Sequence, residues 1–241
     1  NWKRIPAEFL VANVRIGRDG KLAKRRGYLH VQKGRVVALG TGSPQPEDVP
    51  TLDAGGWVAA PGLVDLHVHF REPGQEEKET VATGSLAAAA GGFTAVVTMP
   101  NTDPAIDHAG LVRYLIDRGA EAGRCRIFPA GAVSRGRAGE QLTEFGEMVA
   151  AGAVGFTDDG SPVAHGGLMR HALEYAGMLG VPIIDHCEDP SLKADGVAHE
   201  GHHASALGLR GIPGVAESLM VERDVSLAEL VGAHVHIAHM S

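Results

Sequence analysis

The sequence has few cysteines, no long apolar run and no surplus of basic residues. Two cysteines, Cys125 and Cys187, among 241 residues are too few for a disulfide framework, so a reducing cytoplasm is the expected compartment. No apolar run reaches the roughly 18 to 20 residues that span a bilayer, so no membrane is expected as a partner. The formal net charge of −7 offers nothing to attract phosphates, and nucleic acid is likewise not an expected partner.

Glycine and histidine are the residues that stand out. Hydrophobic residues make up 44% and charged residues 21% of the chain, which is close to the average of globular domains that bury a core. There are 33 glycines and 13 histidines, while aromatic residues make up only 5%. The positions of the histidines therefore need a chemical explanation.

The first sixty residues have the pattern of a small antiparallel sheet. Between residues 9 and 39, short runs rich in Val, Ile, Leu and Tyr are separated by Asp-Gly and Lys-Gly turns, which is typical of three strands joined by hairpins. Residues 41–56 are dense in Pro, Gly and Asp and leave room for one more short strand. We therefore predict a boundary near Ala60, with residues 1–60 as one domain and residues 61–241 as another.

From Gly62 onward, short apolar runs alternate with stretches typical of helices. The runs do not alternate strictly between apolar and polar residues, as expected of strands buried on both faces of a parallel sheet. The first four begin about 30 residues apart, the length of a strand, a helix and a return. The predicted strands are residues 62–69, 94–101, 126–133, 153–159, 182–188 and 235–240, and the predicted helices are Glu77–Ala90, Ala109–Ala122, Glu140–Ala151, Gly167–Leu179 and Ala216–Leu230.

Polar residues at the ends of these strands favour a closed barrel over an open doubly wound sheet. In a (β/α)₈ barrel, groups from several strands meet at one end, whereas a doubly wound sheet concentrates its ligands at one switch point. No G-x-G-x-x-G follows the first strand, which removes most support for a dinucleotide-binding fold. The predicted fold class is therefore α/β, a (β/α)₈ TIM-type barrel of which about six strands are present.

Histidines and acids at these strand ends have the pattern of a metal site. His67 and His69 lie two positions apart on a strand, so both side chains project from one face. Neutral imidazoles suit Zn²⁺ and similar ions. His186 and His239 end two further strands, and residues 158–160, Asp-Asp-Gly, end the fourth. Several histidines and one acid at the mouth of a barrel can hold two metals with the carboxylate between them.

A set of motifs along nearly the whole chain resembles dihydroorotases of the amidohydrolase superfamily, specifically the long bacterial class I form. The motifs are DAGGWVAAPGLVDLHVHFREPG, GGFTAVVTMPNTDP, GFTDDG, DHCED, HEG and VHIAHMS. The resemblance implies a barrel with a small β-sandwich domain built from both termini, of which residues 1–60 are the N-terminal part. It also implies a zinc-dependent cyclic amide hydrolase, with one or two Zn²⁺ per subunit. Such an enzyme reversibly cyclises N-carbamoyl-L-aspartate to (S)-dihydroorotate in pyrimidine (UMP) biosynthesis, by a hydroxide that bridges the metals.

The resemblance assigns the metal ligands residue by residue. His67 and His69 match the ligands of the first metal. Asp159 matches the bridging acid, and His186 and His239 match the ligands of the second metal.

The resemblance also assigns the residues that bind the substrate carboxylate. Arg71 and Asn101 match the residues that hold this group, with His69 beside them. A guanidinium offers a carboxylate two parallel donors, and an amide adds a directional one. No residue up to Ser241 matches the proton-carrying Asp that ends the eighth strand in the family. The catalytic residue is therefore expected beyond Ser241.

The number of predicted strands has a physical consequence of its own. Six strands cannot close an eight-stranded barrel, and bare strand edges promote aggregation. We therefore expect the sequence to be the N-terminal portion of a longer protein, and residues 1–241 by themselves not to fold cooperatively.

Two alternative functions stay open. The first is another cyclic amidase, a dihydropyrimidinase or allantoinase, although such enzymes usually bridge their metals with a carboxylated Lys where this chain has Asp158 and Asp159. The second is an inactive dihydroorotase-like scaffold subunit of aspartate carbamoyltransferase, although such proteins commonly lose ligand histidines that this chain keeps. The partners implied are a small-molecule substrate, further copies of the chain and aspartate carbamoyltransferase.

Overall fold

The computed structural model describes residues 5–44, 46 and 48–241. The chain divides into two compact units, the first ending at Gly62 and the second beginning at Leu63. Within the part of the chain described, no helix combines the length and the apolar character needed to cross a membrane.

The first unit is a sheet organised around one long strand, β1. Its strands are β1 (Glu8–Arg18), β2 (Lys21–Leu22), β3 (Gly27–Gln32), β4 (Arg35–Thr41), β5 (Thr51–Asp53) and β6 (Val58–Ala59). Strand β1 pairs antiparallel with β2 and β3, and β3 pairs antiparallel with β4. Strands β5 and β6 both run parallel to β1. The three predicted hairpin strands are confirmed. Residues 41–56 contribute the one short strand expected of them, β5, and β6 follows that segment.

The second unit alternates strands and helices. Its strands are β7 (Leu63–Val68), β8 (Phe93–Thr98), β9 (Arg126–Pro129), β10 (Ile183–Asp185), β11 (Ala198–His199), β12 (Gly211–Ile212) and β13 (Val235–Ile237). Its helices are α1 (Val81–Ala90), α2 (Ala109–Ala122), α3 (Phe145–Ala151), α4 (Gly166–Leu179), α5 (Pro190–Lys193), α6 (His202–Leu207) and α7 (Val215–Val231).

The main strands of this unit are parallel and neighbour one another in chain order. Strand β8 lies between β7 and β9, and β10 pairs with β13. The predicted fourth strand, residues 153–159, is reduced to Phe156, which bridges Gly131 on one side and Ile183 on the other. Main-chain bonds on both sides, Thr157 N to Gly131 O at 2.8 Å and Ile184 N to Phe156 O at 2.8 Å, complete the connection. Six parallel strand positions in this order match the first six strands of a TIM-type barrel.

Two predicted helices begin later than their sequence patterns indicate. Helix α1 begins at Val81, not Glu77, because Thr80 caps it by accepting a hydrogen bond from the main-chain N–H of Thr83. Helix α3 begins at Phe145, not Glu140, because Thr143 is held in the preceding segment by a 2.7 Å bond from its hydroxyl to the carbonyl of Ala132.

The other three predicted helices lie within one residue of their expected bounds, and a histidine caps the N-terminus of two of them. His108 and His165 cap α2 and α4 by accepting hydrogen bonds from the main-chain N–H groups of Gly110 and Leu168. These two histidines therefore have local structural roles.

The core of the second unit includes an aromatic stack beside the fourth strand position. The rings of Phe145 and Phe156 lie 3.8 Å apart between centroids, and Tyr175 stacks on the other side of Phe145 at 4.9 Å. Phe145 and Phe156 are fully buried, and burial of such a side chain stabilises by about 1.5–3 kcal/mol. The stack therefore fixes the chain immediately before Asp158 and Asp159.

Candidate metal centre

The five predicted metal ligands all lie at the C-terminal ends of their strands. His67 is the penultimate residue of β7, and His69 follows that strand directly. Asp159 lies three positions after the bridging residue Phe156. His186 follows β10 directly, and His239 lies two positions after the end of β13. Because the strands are parallel, these ends meet at one edge.

Asp159 lies at the centre of the four imidazoles. Its Oδ1 is 3.3 Å from His67 Nε2 and 3.6 Å from His239 Nε2. The same oxygen is 3.9 Å from His186 Nδ1, and the other carboxylate oxygen is 3.6 Å from His69 Nε2. The Asp159 side chain is only 5% exposed. The structure therefore brings all five predicted ligands together around one buried carboxylate.

The electrostatics of the cluster keep this carboxylate ionised. Burial alone would raise the pKa of Asp159, but the hydrogen bond with His67 and the charges of His67, His69 and His186 outweigh it and lower the pKa to about 2. Burial also lowers the pKa of His69, against the opposing effect of its hydrogen bond to Asn101. An ionised carboxylate and a neutral imidazole are the forms that bind a cation.

Neighbouring acceptors leave one ring nitrogen of each of two histidines free for a metal. His69 Nδ1 lies 2.9 Å from Asn101 Oδ1, so a proton on Nδ1 leaves the lone pair of Nε2 directed at Asp159. His186 Nε2 lies 3.4 Å from Glu188 Oε2, which in the same way leaves Nδ1 free. That Nδ1 lies 3.1 Å from Nε2 of His239. Four imidazoles around one carboxylate are a donor set that fits Zn²⁺.

The structure separates the two adjacent acids of the fourth strand. Asp158 is buried and accepts hydrogen bonds from both the main-chain N–H and the hydroxyl of Ser134. Asp159 is therefore the one directed at the histidines. Its own main chain is held on both sides, by a 3.1 Å bond from its N–H to Thr157 Oγ1 and by a 2.6 Å bond from Arg137 Nη2 to its carbonyl oxygen.

Arg137 is a residue that sequence reasoning missed. It lies in a short 3₁₀ turn, and its guanidinium also lies 3.3 Å from Ser161 Oγ. No local sequence pattern points to this Arg, because its partner Asp159 lies 22 positions away in the chain.

The predicted substrate-binding residues lie directly beside the ligand cluster. Asn101 follows β8 and donates from Nδ2 to Asp159 Oδ2 at 3.1 Å, while its Oδ1 faces His69. Arg71 Nη1 lies 3.5 Å from the same Oδ1. The structure thus brings His69, Arg71 and Asn101 together, and all three are half-buried.

A cavity opens on the other side of the cluster. It measures about 240 Å³ and is lined in part by His186, His239, Glu188, His199 and Glu217. Pockets for drug-sized ligands measure roughly 300–1,000 Å³. The cavity therefore suits a smaller molecule.

A second acidic cluster lies next to His186 in sequence. One oxygen each of Asp185 and Asp224 and the thiol of Cys187 lie within 4.8 Å of one another, all buried. Burial and the neighbouring Asp224 raise the pKa of Asp185. Arg223 Nε donates to Asp224 at 2.7 Å. The Arg223 guanidinium therefore offsets part of the negative charge of this cluster.

Comparison with known proteins gives the same family at several levels. A family model described as dihydro-orotase-like matches residues 56–241. A protein of Desulforapulum autotrophicum named dihydroorotase is 51% identical over 225 residues, covering 92% of this chain and 52% of its own length. A dihydroorotase of Syntrophobacter fumaroxidans is 55% identical over 190 residues, covering 79% of this chain and 43% of its own length. The chain spans about half the length of the curated relatives it matches.

Solved structures show the same fold at low sequence identity. An L-hydantoinase (dihydropyrimidinase) from Arthrobacter aurescens superposes with a TM-score of 0.75 at 22% identity, over 96% of this chain and 52% of that one. A crystal structure of a dihydroorotase superposes with a TM-score of 0.52 at 18% identity, over 96% of this chain and 64% of that one. These structures are too distant in sequence to show more than the fold. The family model and the relatives at about 50% identity show that the chain belongs to the dihydroorotase-like family.

Proposed function

We propose that this chain supplies the metal centre and the carboxylate-binding residues of a dihydroorotase, which reversibly cyclises N-carbamoyl-L-aspartate to (S)-dihydroorotate. The observation that carries the proposal is the placement of Arg71 and Asn101 directly beside the His and Asp cluster. Dihydroorotate combines a ring amide, which is the reacting group, with a carboxylate on the same ring. The site has a partner for each group: a metal-binding cluster for the ring amide and the guanidinium of Arg71 for the carboxylate.

The cofactor in this proposal is zinc, one or two ions per subunit. His67, His69, Asp159, His186 and His239 would hold it. Bound there, zinc would supply Lewis acidity toward the ring amide and acidify a water molecule.

The residues of this chain orient the substrate around that centre. Arg71 offers two parallel donors to the ring carboxylate, and the charge-assisted pair fixes the direction of the ring. Asn101 connects Arg71 to the metal cluster, because one end of its amide faces Arg71 and His69 while the other donates to Asp159. The carboxylate and the reacting amide are thereby held at a set separation. The proton that reaches the departing ring nitrogen is assigned to no described residue.

The same proposal extends to the domains. The first unit would be the N-terminal part of a β-sandwich, and residues 61–241 would belong to a (β/α)₈ barrel. Support comes from apolar side chains that the described residues leave exposed, including Val36 at 56%, Trp57 at 79% and Leu63 at 54%. A second sheet over β4 and a further strand beside β7 would cover these surfaces. Association with aspartate carbamoyltransferase or with further copies of the chain stays a prediction.

Turnover of dihydroorotate by the full-length protein that contains this chain, reconstituted with zinc, tests the proposed function. We expect hydrolysis of dihydroorotate and cyclisation of N-carbamoyl-L-aspartate, both lost after chelation and restored by added zinc. The competing cyclic amidase function predicts turnover of hydantoin or dihydrouracil, which lack the carboxylate, in preference to dihydroorotate. The scaffold function predicts no turnover of any of them. Either of those two results would contradict the proposal.

A further inference from the structure

We infer that Glu72, held by Tyr114 and Arg118, is a positioning residue that sets Arg71 for the substrate carboxylate. The inference rests on the proposed function. It gives Glu72, Tyr114 and Arg118, which are not metal ligands, an indirect role in the binding of substrate. It starts from an acid that is buried beside the site and that the mechanism does not use.

Glu72 is a carboxylate with a complete set of donors from two helices. It is 3% exposed. Its Oε2 accepts a 2.8 Å bond from the main-chain N–H of Val81, the first residue of α1. Its Oε1 accepts 2.8 Å bonds from the hydroxyl of Tyr114 and from Nε of Arg118, both on α2. Residue 72 is thereby fixed to the start of α1 and to one face of α2.

Two buried side chains flank Arg71 in the sequence. Phe70 is 6% exposed and Glu72 is 3% exposed, while Arg71 between them is half-buried. The ring of Phe70 packs on Gly84 of α1, where an added Cβ would come within 2.4 Å of it. With both neighbours held against α1, the guanidinium of Arg71 is directed away from that helix and toward Asn101.

The other end of the same turn docks on the segment that carries Asn101. The N–H of Asp103 donates to the carbonyl of Pro73 at 3.1 Å. Gly74 has a φ of +91°, and a Cβ there would lie 1.7 Å from the carbonyl oxygen of Asp103. Only glycine permits this approach. The turn after Arg71 and the turn after Asn101 therefore form one packed unit, and Glu72 ties that unit to α1 and α2.

The charge of Glu72 is maintained by its partners. Burial would raise the pKa of this carboxyl, but the bonds from Arg118, Val81 and Tyr114 outweigh it and lower the pKa. A buried anion of this kind is held strongly in place, because removing one donor leaves it unsatisfied. Loss of a donor would thus shift the turn, and with it Arg71.

Steady-state kinetics of the variants Arg118→Met and Tyr114→Phe test this role. Each removes one donor to Glu72 and touches neither the metal ligands nor the substrate. Loss of one hydrogen bond to Glu72 would shift the turn that carries Arg71 and so weaken the binding of the substrate carboxylate. A loss of binding equal to that one hydrogen bond is an increase of about threefold to tenfold in KM for dihydroorotate. We expect that increase with kcat within about twofold of the unsubstituted value and zinc content unchanged. Tyr114→Phe removes only a hydroxyl and serves if Arg118→Met fails to fold.

Two controls separate positioning from a general loss of structure. Glu121→Gln breaks the other ion pair of Arg118, at 2.6 Å on the surface, and is expected to leave KM unchanged. In a protein that already carries Arg71→Met, the added change Tyr114→Phe is expected to raise KM by less than about twofold, because residues that act through one group are not additive.

The outcomes overturn the inference in distinguishable ways. Additive effects of Tyr114→Phe and Arg71→Met, an unchanged KM in both single variants, or a parallel loss of kcat and zinc would each overturn it. Absence of dihydroorotate turnover by the unsubstituted zinc protein would overturn the proposed function, and the inference with it.

Discussion

Replacing Asp159 with Asn is expected to lower kcat/KM by about 1,000-fold or more, equivalent to about 4 kcal/mol of transition-state stabilisation. Asn has nearly the same shape but lacks the negative charge that all four imidazoles surround within 3.9 Å. A neutral amide cannot bridge two cations as a carboxylate does. The measurement is kcat/KM for dihydroorotate together with the zinc content of the same preparation, which is expected to fall as well.

Asp117→Asn is the matched control for that variant. Asp117 lies exposed on α2, and the same chemical change there is expected to leave both the rate and the zinc content within experimental error. A fully active Asp159→Asn protein with its normal zinc content would show that this carboxylate is not a ligand.

Replacing Arg71 with Met is expected to raise KM for dihydroorotate by about 100-fold, with a smaller change in kcat. Met keeps the length of the side chain but removes the donors that we propose for the substrate carboxylate. Hydrogen bonds to charged groups contribute about 1.5–3 kcal/mol, which corresponds to about 10-fold to 100-fold in binding. The upper end of this range is expected because the desolvated substrate carboxylate would lose its charged partner.

Arg113→Met provides the comparison for Arg71. Arg113 is exposed on α2, and its removal changes the net charge by the same amount. If long-range charge attraction alone accounted for the effect, both variants would raise KM equally. If neither raised KM, Arg71 would have no part in binding the carboxylate.

Residue spacing predicted much of the candidate site because the proposed ligands lie at strand ends. The two-residue period of a strand places His67 and His69 on one face, and parallel strands bring His186 and His239 to the same edge. The spacing of residues could not show which of Asp158 and Asp159 faces the histidines. The decision depends on Ser134, which takes up the Asp158 carboxylate through contacts 24 positions away in the chain.

Features that depend on distant contacts were outside the reach of pattern reasoning. The chain turns directly after the fourth strand position, where the N–H of Asp159 donates to Thr157 Oγ1 and the N–H of Ser161 donates to the carbonyl of Asp158. The periodicity of an apolar run does not record such a turn. Glu72 reads as part of a turn motif, yet its partners Tyr114 and Arg118 lie 42 and 46 positions away. Nothing in the local sequence marks such an acid as buried.

Diffraction from crystals of the zinc-loaded protein, recorded on both sides of the zinc absorption edge, tests the central claim most directly. The account predicts one or two anomalous peaks among His67, His69, Asp159, His186 and His239, with zinc to nitrogen distances of about 2.0–2.1 Å. Zinc bound only elsewhere, or an anomalous map with no peak among these five side chains, would contradict it.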